Sequence, residues 1–375
     1  MKTVLFNDTM KMLTGFVFLG VLVTSAFAAE KAPADNAKPS APTAGEVRWL
    51  PFPGPQLELR GLPWFKENAP ELWRLPQSAR SQIPLGVWNR AVASDGGRIR
   101  LSSTTSRLVI RVQTVPAQTK PCFIDTYING DYVDSAKALG AQPTELLLFE
   151  GKGRGQKNIT LYLPNNHQIR VLAVGVDADA ELRPPPAFAV KSPIVCYGSS
   201  VLQGTGAAHP SKTYPAALAR RLNLDFVNLG FGGAGKAEPA VVDLVNQLDA
   251  SCYIFDLGKS YGNQPKEPYA RMLATIRAAH PNVPILCVTP IYSTNEPKDP
   301  AYLEKSVRLR TMMREAAMER RMAGDKFTFV VEGLELFGEA DKKLFRDPQH
   351  PNDEGNELIA QRLVSMVEKV VLGKN

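Results

Sequence analysis

The stretch Ile194-Val195-Cys196-Tyr197-Gly198-Ser199-Ser200-Val201-Leu202-Gln203-Gly204 decides the fold. Its first four residues are apolar and two are β-branched, which reads as a short strand buried on both faces, as in a parallel sheet. Gly198 ends the strand, two serines follow, and Gly204 permits a second tight bend. Thr213-Tyr214-Pro215 then opens a helix, with Thr213 as its N-cap and Pro215 in its first turn. Tyr214, Leu218 and Leu222 recur at i, i+4 and i+8 on one face. Ser200 therefore sits at the carboxyl end of a buried strand, where open α/β sheets place their ligands, and is a candidate nucleophile. Gly-Ser-Ser is also ordinary loop chemistry. An isolated serine hydroxyl attacks poorly, so catalysis requires a base, an orienting acid and oxyanion donors elsewhere in the chain.

Around this anchor, residues 190–375 alternate strand and helix signals. Apolar runs at Ile194–Tyr197, Asp225–Leu229, Ser251–Leu257, Pro284–Thr289 and Lys326–Val331 predict strands. Tyr214–Leu222, Ala240–Leu248, Tyr269–Ala279, Leu303–Met322 and Glu354–Val371 predict helices. Alternation of this kind implies an α/β fold with a parallel sheet covered on both faces.

Residues 47–183 differ, with short β-rich runs at 98–101, 108–114, 122–129, 146–149, 158–163 and 169–176. Asn129-Gly130 is a two-residue hairpin signal, and Gly151 to Gly155 form a turn. With no convincing helix between them, these strands predict an antiparallel β-sandwich, able to bind carbohydrate or to brace its neighbour. Trp88 is either a sugar platform or, as is commoner for an aromatic in a sandwich, part of the core. Glu181-Leu182-Arg183-Pro184-Pro185-Pro186 predicts a stiff linker.

At the amino terminus, Lys2 and Lys11 precede an apolar run from Met12 to Val23, followed by Ala26 and Ala28 as an A-x-A cleavage site. Residues 1–28 thus predict a secretory signal peptide, since the run is shorter than the roughly 20 residues of a membrane span. Residues 29–46, rich in Ala, Pro and Lys, predict a disordered spacer. The mature protein is expected in a periplasm or beyond, without stable membrane insertion.

The 375 residues carry 44% apolar and 22% charged side chains and a formal net charge of +7. The basic residues are scattered, whereas nucleic-acid binding wants a clustered stripe. Cys122, Cys196, Cys252 and Cys287 have no metal-like spacing, and three of them lie in apolar runs where cysteine acts as a small core residue.

Four histidines, His167, His209, His280 and His350, bound the search for a base. His167 lies in a turn of the β-rich half, and His280 follows a predicted helix as an exposed cap. His209 is near Ser200 in sequence and is a candidate for lining the site. His350 belongs to Asp347-Pro348-Gln349-His350-Pro351-Asn352, just before the last amphipathic helix. Asp347 is three residues away, close enough to fix the tautomer of His350 while its other nitrogen takes a proton from Ser200. The rival reading is a proline-rich loop whose polar residues cap a helix. Asn228-Leu229-Gly230-Phe231-Gly232-Gly233-Ala234-Gly235 can expose backbone N–H groups to an oxyanion. A phosphate-binding loop is its rival, although the lysine-serine or lysine-threonine pair of a Walker loop is missing.

Taken together, the serine block, the glycine loop and Asp-x-x-His make the chain resemble the SGNH (GDSL-type) hydrolases, especially two-domain bacterial members with a jelly-roll-like N-terminal domain. The resemblance implies a three-layer α/β/α fold and ester hydrolysis with neither metal nor cofactor. It places Ser200 in the nucleophile position, with Ser199 where the family has aspartate, Gly233 in the oxyanion hole, and Asp347 and His350 as acid and base. The family's oxyanion asparagine has no direct counterpart. In Asp256-Leu257-Gly258-Lys259-Ser260-Tyr261-Gly262-Asn263, the register from the strand puts Ser260 there and Asn263 three residues further on. The expected activity is an exported serine esterase that removes acyl groups, above all acetyl, from carbohydrate. Its rivals are a lipase, thioesterase or short-chain esterase, and a carbohydrate-binding protein whose hydrolase fold has decayed.

Overall fold

A computed structural model of the chain describes residues 46–115 and 121–374. The expected signal peptide, and all of the spacer but Glu46, lie outside the described residues.

The β-rich half contains β1 (Val47–Pro51), β2 (Glu58–Arg60), β3 (Arg98–Ser103), β4 (Leu108–Thr114), β5 (Cys122–Ile128), β6 (Asp131–Ala138), β7 (Thr144–Phe149), β8 (Lys157–Tyr162), β9 (Ile169–Asp177) and β10 (Leu182–Arg183). They form a four-stranded sheet in the order β1-β9-β4-β7 and a six-stranded one in the order β10-β3-β8-β5-β6, with β2 also on β3. Every pairing is antiparallel. Ile110, Val112 and Val174 of one sheet share a core with Ile99, Leu101 and Ile159 of the other, which makes a sandwich. The hairpin between β5 and β6 turns on Asn129 (φ 53°) and Gly130 (φ 94°), the backbone that a type I′ turn demands. The segment expected as a stiff linker is held against the sheet: β10 pairs with β3, and Arg100 donates to the Pro186 carbonyl at 2.5 Å.

The second half is a parallel sheet of β11 (Ile194–Gly198), β12 (Phe226–Gly230), β13 (Cys252–Asp256), β14 (Ile285–Val288) and β15 (Thr328–Val331), in the order β12-β11-β13-β14-β15. Helices α1 (Phe65–Asn68) and α2 (Leu85–Ala91) precede it. Around it lie α3 (Ser200–Gln203), α4 (Tyr214–Arg221), α5 (Pro239–Val245), α6 (Lys266–Ala279), α7 (Pro300–Met322), α8 (Gly333–Leu336) and α9 (Asp353–Leu372). Successive strand residues point to opposite faces, so Val195, Tyr197, Tyr253 and Phe255 pack on α5, α6 and α7. Ile194, Cys196, Cys252 and Ile254 pack on α4 and α9. The result is the three-layer α/β/α arrangement. All four cysteines are buried and free.

Two expectations need correction. Thr213 occupies the N-cap position of α4 without capping it; the Tyr214 amide donates instead to Asn356 Oδ1 on α9 at 3.1 Å. Sequence position alone does not reveal a cap supplied from another helix. The second concerns Trp88. It belongs neither to a sugar platform nor to the sandwich core. It lies on α2, and with Val87 and Ala91 it packs into the layer formed by α5, α6 and α7. The helix is short, and Pro84 before it and Gly86 within it mask its period. The Trp73 ring meets Trp88 edge-on at 5.6 Å.

Truncating this tryptophan should leave a cavity in the core. Trp88→Ala is expected to cost about 3–5 kcal/mol, read as a lower urea midpoint. Leu85→Ala, on the exposed side of the same helix, should stay within about 0.5 kcal/mol. Equal small effects from both would mean that α2 is not part of the core.

Candidate active site

Three loops meet at the carboxyl ends of β11, β12 and β13. The approach is close: a Cβ at Gly198 would lie 1.9 Å from the Asp256 carbonyl oxygen. Across this contact the Ser199 amide donates to Asp256 O (2.7 Å), and the Phe231 amide donates to Gly198 O (2.8 Å). The Ser199 side chain caps α3 through the Val201 amide (3.3 Å), so Ser200 becomes the first residue of a helical turn that closes at Gly204, φ +97°.

The loop before α9 arrives from the other side. Pro348 O accepts from the Thr294 amide (3.1 Å) and from Ser293 Oγ (2.8 Å), and Arg346 N donates to His350 O (2.9 Å). Held so, His350 places Nε2 2.9 Å from Ser200 Oγ, and its Nδ1 lies 2.8 Å from Asp347 Oδ2. A ring that donates from Nδ1 to a carboxylate leaves Nε2 as the acceptor, so the serine hydroxyl donates to it. Asp347 also accepts the amides of Gln349 (2.9 Å) and His350 (3.0 Å). Burial opposes its charge, but these amides and the His350 ring outweigh that and hold its carboxyl below the usual range. The Asp347–His350 loop is therefore both a helix lead-in and an arm of a hydrogen-bonded relay.

Gly232 meets the serine turn just after β12, where an added Cβ would lie 3.3 Å from Ser200 Cβ, whereas Gly233 lines a separate cavity with Pro84, Gly86 and Glu238. The Gly232 amide is taken by Gln203 Oε1 at 2.7 Å. The Gly233 amide (φ +73°) has no acceptor among the described residues, and neither has that of Ser200. Two residues without a signal in the sequence fix this loop. Buried Arg74 donates to Gly230 O (2.6 Å) and Asn228 O (3.1 Å) with Asp95 3.6 Å away, and Gln203 donates to Asp95 Oδ1 (3.1 Å). Gln203 stood in the serine block, but only its distant partners give it meaning.

Ser200 and His350 line a cavity of about 40 Å³ together with Ser199, Asp256, Lys259 and Ser260. Asn263 is exposed and does not line it. His209 does not reach it either: its Nδ1 pairs with Asp125 (3.0 Å) on β5 and so ties the two halves together. His167 bonds to Asn165 O (2.7 Å) and His280 to Asn246 O (2.9 Å); His280 is half-buried, not an exposed cap. Two buried charges flank the cavity. Burial pushes the Asp256 carboxyl up to about 6, partly offset by the Tyr214 hydroxyl at 3.1 Å and by Lys259. Burial pulls the Lys259 ammonium down to about 8, against the attraction of Glu296 at 3.5 Å.

The Asp256 shift has a sign that can be measured. Between about 3.8 and about 6 the folded protein holds a proton that the unfolded chain releases, so stability falls as pH rises through that window. Asp256→Asn keeps an acceptor for Tyr214 and removes the titration. From pH 4.5 to pH 7 the wild type should lose stability relative to this variant, by up to about 1.4 kcal/mol per pH unit within the window. Urea unfolding of both proteins at the two pH values checks this; an unchanged difference would mean that Asp256 titrates normally.

The family model described as GDSL-like lipase/acylhydrolase matches residues 191–369, and that of the N-terminus of SGNH-hydrolase-type esterases matches residues 47–182. Among solved structures, a salicylyl-acyltransferase from a tetracycline biosynthetic pathway is 25% identical with a TM-score of 0.76, over 87% of this chain and 98% of that one. A candidate GDSL-like lipase from Bacteroides ovatus is 24% identical (TM-score 0.74), over 87% of this chain and 98% of its own. A family two carbohydrate esterase from Clostridium thermocellum, in complex with cellohexaose, shares the fold at 15% identity (TM-score 0.59), over 75% and 94% of the two chains. No curated protein matches the chain by sequence.

Proposed function

The chain belongs to the SGNH (GDSL-type) hydrolases and is an esterase, and we propose that it is an exported serine esterase that removes acetyl groups from carbohydrate. The observation that carries this reading is the unbroken path from Ser200 Oγ through His350 to Asp347, at 2.9 and 2.8 Å. In it Ser200 Oγ attacks the ester carbonyl as its proton passes to His350 Nε2, and Asp347 steadies the imidazolium through Nδ1. The free amides of Ser200 and Gly233, with the Ser260 hydroxyl, stabilise the tetrahedral oxyanion. His350 then protonates the departing sugar oxygen. Water, with His350 as base, releases acetate and restores Ser200.

The size of the cavity supports a small acyl group. An apolar cavity of about 150 Å³ holds a benzene ring, whereas about 40 Å³ beside Ser200 suits a methyl group. A salicylyl group or a fatty chain, as transferase or lipase chemistry would need, would have to extend beyond it. The carbohydrate is supported by the shared architecture with a carbohydrate esterase bound to cellohexaose. Export rests on the signal-like residues 1–28.

Ser200→Ala should lower acetate release from acetylated polysaccharide by at least about 10⁴-fold. On nitrophenyl esters the wild type should prefer acetate to butyrate and butyrate to octanoate. A rate that climbs with chain length would make the protein a lipase, and wild-type activity in Ser200→Ala would end the serine mechanism.

The oxyanion donors can be separated in the same assay. Ser260→Ala is expected to lower kcat by roughly 10²-fold or more with little change in KM, as for loss of one oxyanion donor. Asn263→Ala, at an exposed position, should stay within about twofold. The reverse pattern would assign the donor to Asn263.

A further inference from the structure

A second cavity, of about 450 Å³, lies between the six-stranded sheet and α4. Its lining comes from β3, β5 and β8, from α4, and from the segment leading into β12. Phe226 lies in register with Ile194 at the amino ends of the parallel strands, while Gly230 and Gly198 mark the carboxyl ends. Four residue steps, roughly 13 Å, therefore separate this cavity from the serine turn.

The lining includes three arginines, Arg98, Arg100 and Arg220, and no aspartate or glutamate. The first two are braced from outside the cavity: Arg98 pairs with Asp225, and Arg100 with Glu58 at 2.7 Å. Arg220 is different. Its guanidinium lies 4.7 Å from the Tyr127 ring centre and 5.9 Å from that of Tyr162, and Nη1 donates to Ser211 O at 3.1 Å. No carboxylate among the described residues forms an ion pair with it, although Glu357, which is bonded to Arg221, attracts it from farther off. Stacking on two rings fixes the guanidinium plane, which leaves a pre-set fork of N–H donors of the kind that grips a carboxylate in two places. On the sheet side, Asn158 Oδ1 accepts from Ser102 Oγ (2.9 Å), and its amide nitrogen makes no hydrogen bond to any of the described residues. Buried aromatic rings, a free amide donor and a guanidinium without a direct ion pair suit a pyranose that carries an acid group.

We propose that this cavity is a binding site for an anionic sugar of the hexuronate class, distinct from the site of ester chemistry. The carboxylate meets Arg220, and the ring hydroxyls meet Asn158 and its neighbours. The site does not depend on the catalytic reading, because none of its residues lines the serine cavity.

Titration calorimetry of the full chain with sodium glucuronate, glucose, inorganic phosphate and sulfate tests this. Glucuronate should bind at least tenfold more tightly than glucose or either inorganic anion. Arg220→Gln should weaken glucuronate at least tenfold and leave nitrophenyl acetate hydrolysis unchanged. Asn158→Asp, which places a negative charge in the cavity without touching α4, should do the same if Arg220→Gln does not fold. No glucuronate binding, binding that both variants retain, or phosphate and sulfate binding as tightly as glucuronate would each overturn the proposal.

Discussion

Crowding at the carboxyl end of β11 is the constraint on which the site depends. Gly198 lies so close to the Asp256 carbonyl that no side chain fits between them, and a Cβ at Gly235 would come within 2.1 Å of Gly198 O. Glycine at both positions lets three separate loops converge on one point. Backbone hydrogen bonds then hold Ser199, Phe231 and Asp256 in a fixed relation. Once those main chains are packed, the direction of the Ser200 side chain follows, and the last loop has only to bring His350 to it.

The two acids near that point show how the surroundings divide labour among like groups. Asp347 is partly exposed and accepts amide and imidazole hydrogens, and these hold it ionised despite some loss of water. Asp256 is sealed beneath the serine turn with one tyrosine hydroxyl, and its carboxyl resists ionisation. The first is suited to balance a positive ring, whereas the second gives up its proton only as the pH nears neutrality.

Much of this was legible in the sequence. The five parallel strands are short apolar runs bounded by glycine or polar residues, and burial on both faces makes them stand out. Ser200, His350 and Asp347 were also accessible, because four histidines leave few choices of base and Asp-x-x-His lies within reach of itself. Contacts made by distant residues were not. Arg74 grips carbonyls more than 150 positions away, Asn356 caps a helix it does not belong to, and α2 leaves the β-rich half to fill a hole in the other. None of these has a period or a local motif, since each exists only once the chain has folded. The choice between Ser260 and Asn263 was likewise open, because register from a strand end says little about the path of the turn that follows.

The seating of α2 bears on how such a protein can be inherited. Two halves joined by a proline-rich segment look like separable parts that recombination could exchange among unrelated enzymes. Here the first half contributes Trp88 and its neighbours to the interior of the second, and a guanidinium to the strand that carries the glycine loop. A crossover near the junction would strip the recipient of a tryptophan and a buried cation together. Exchange of either half alone would therefore leave the other without part of its interior.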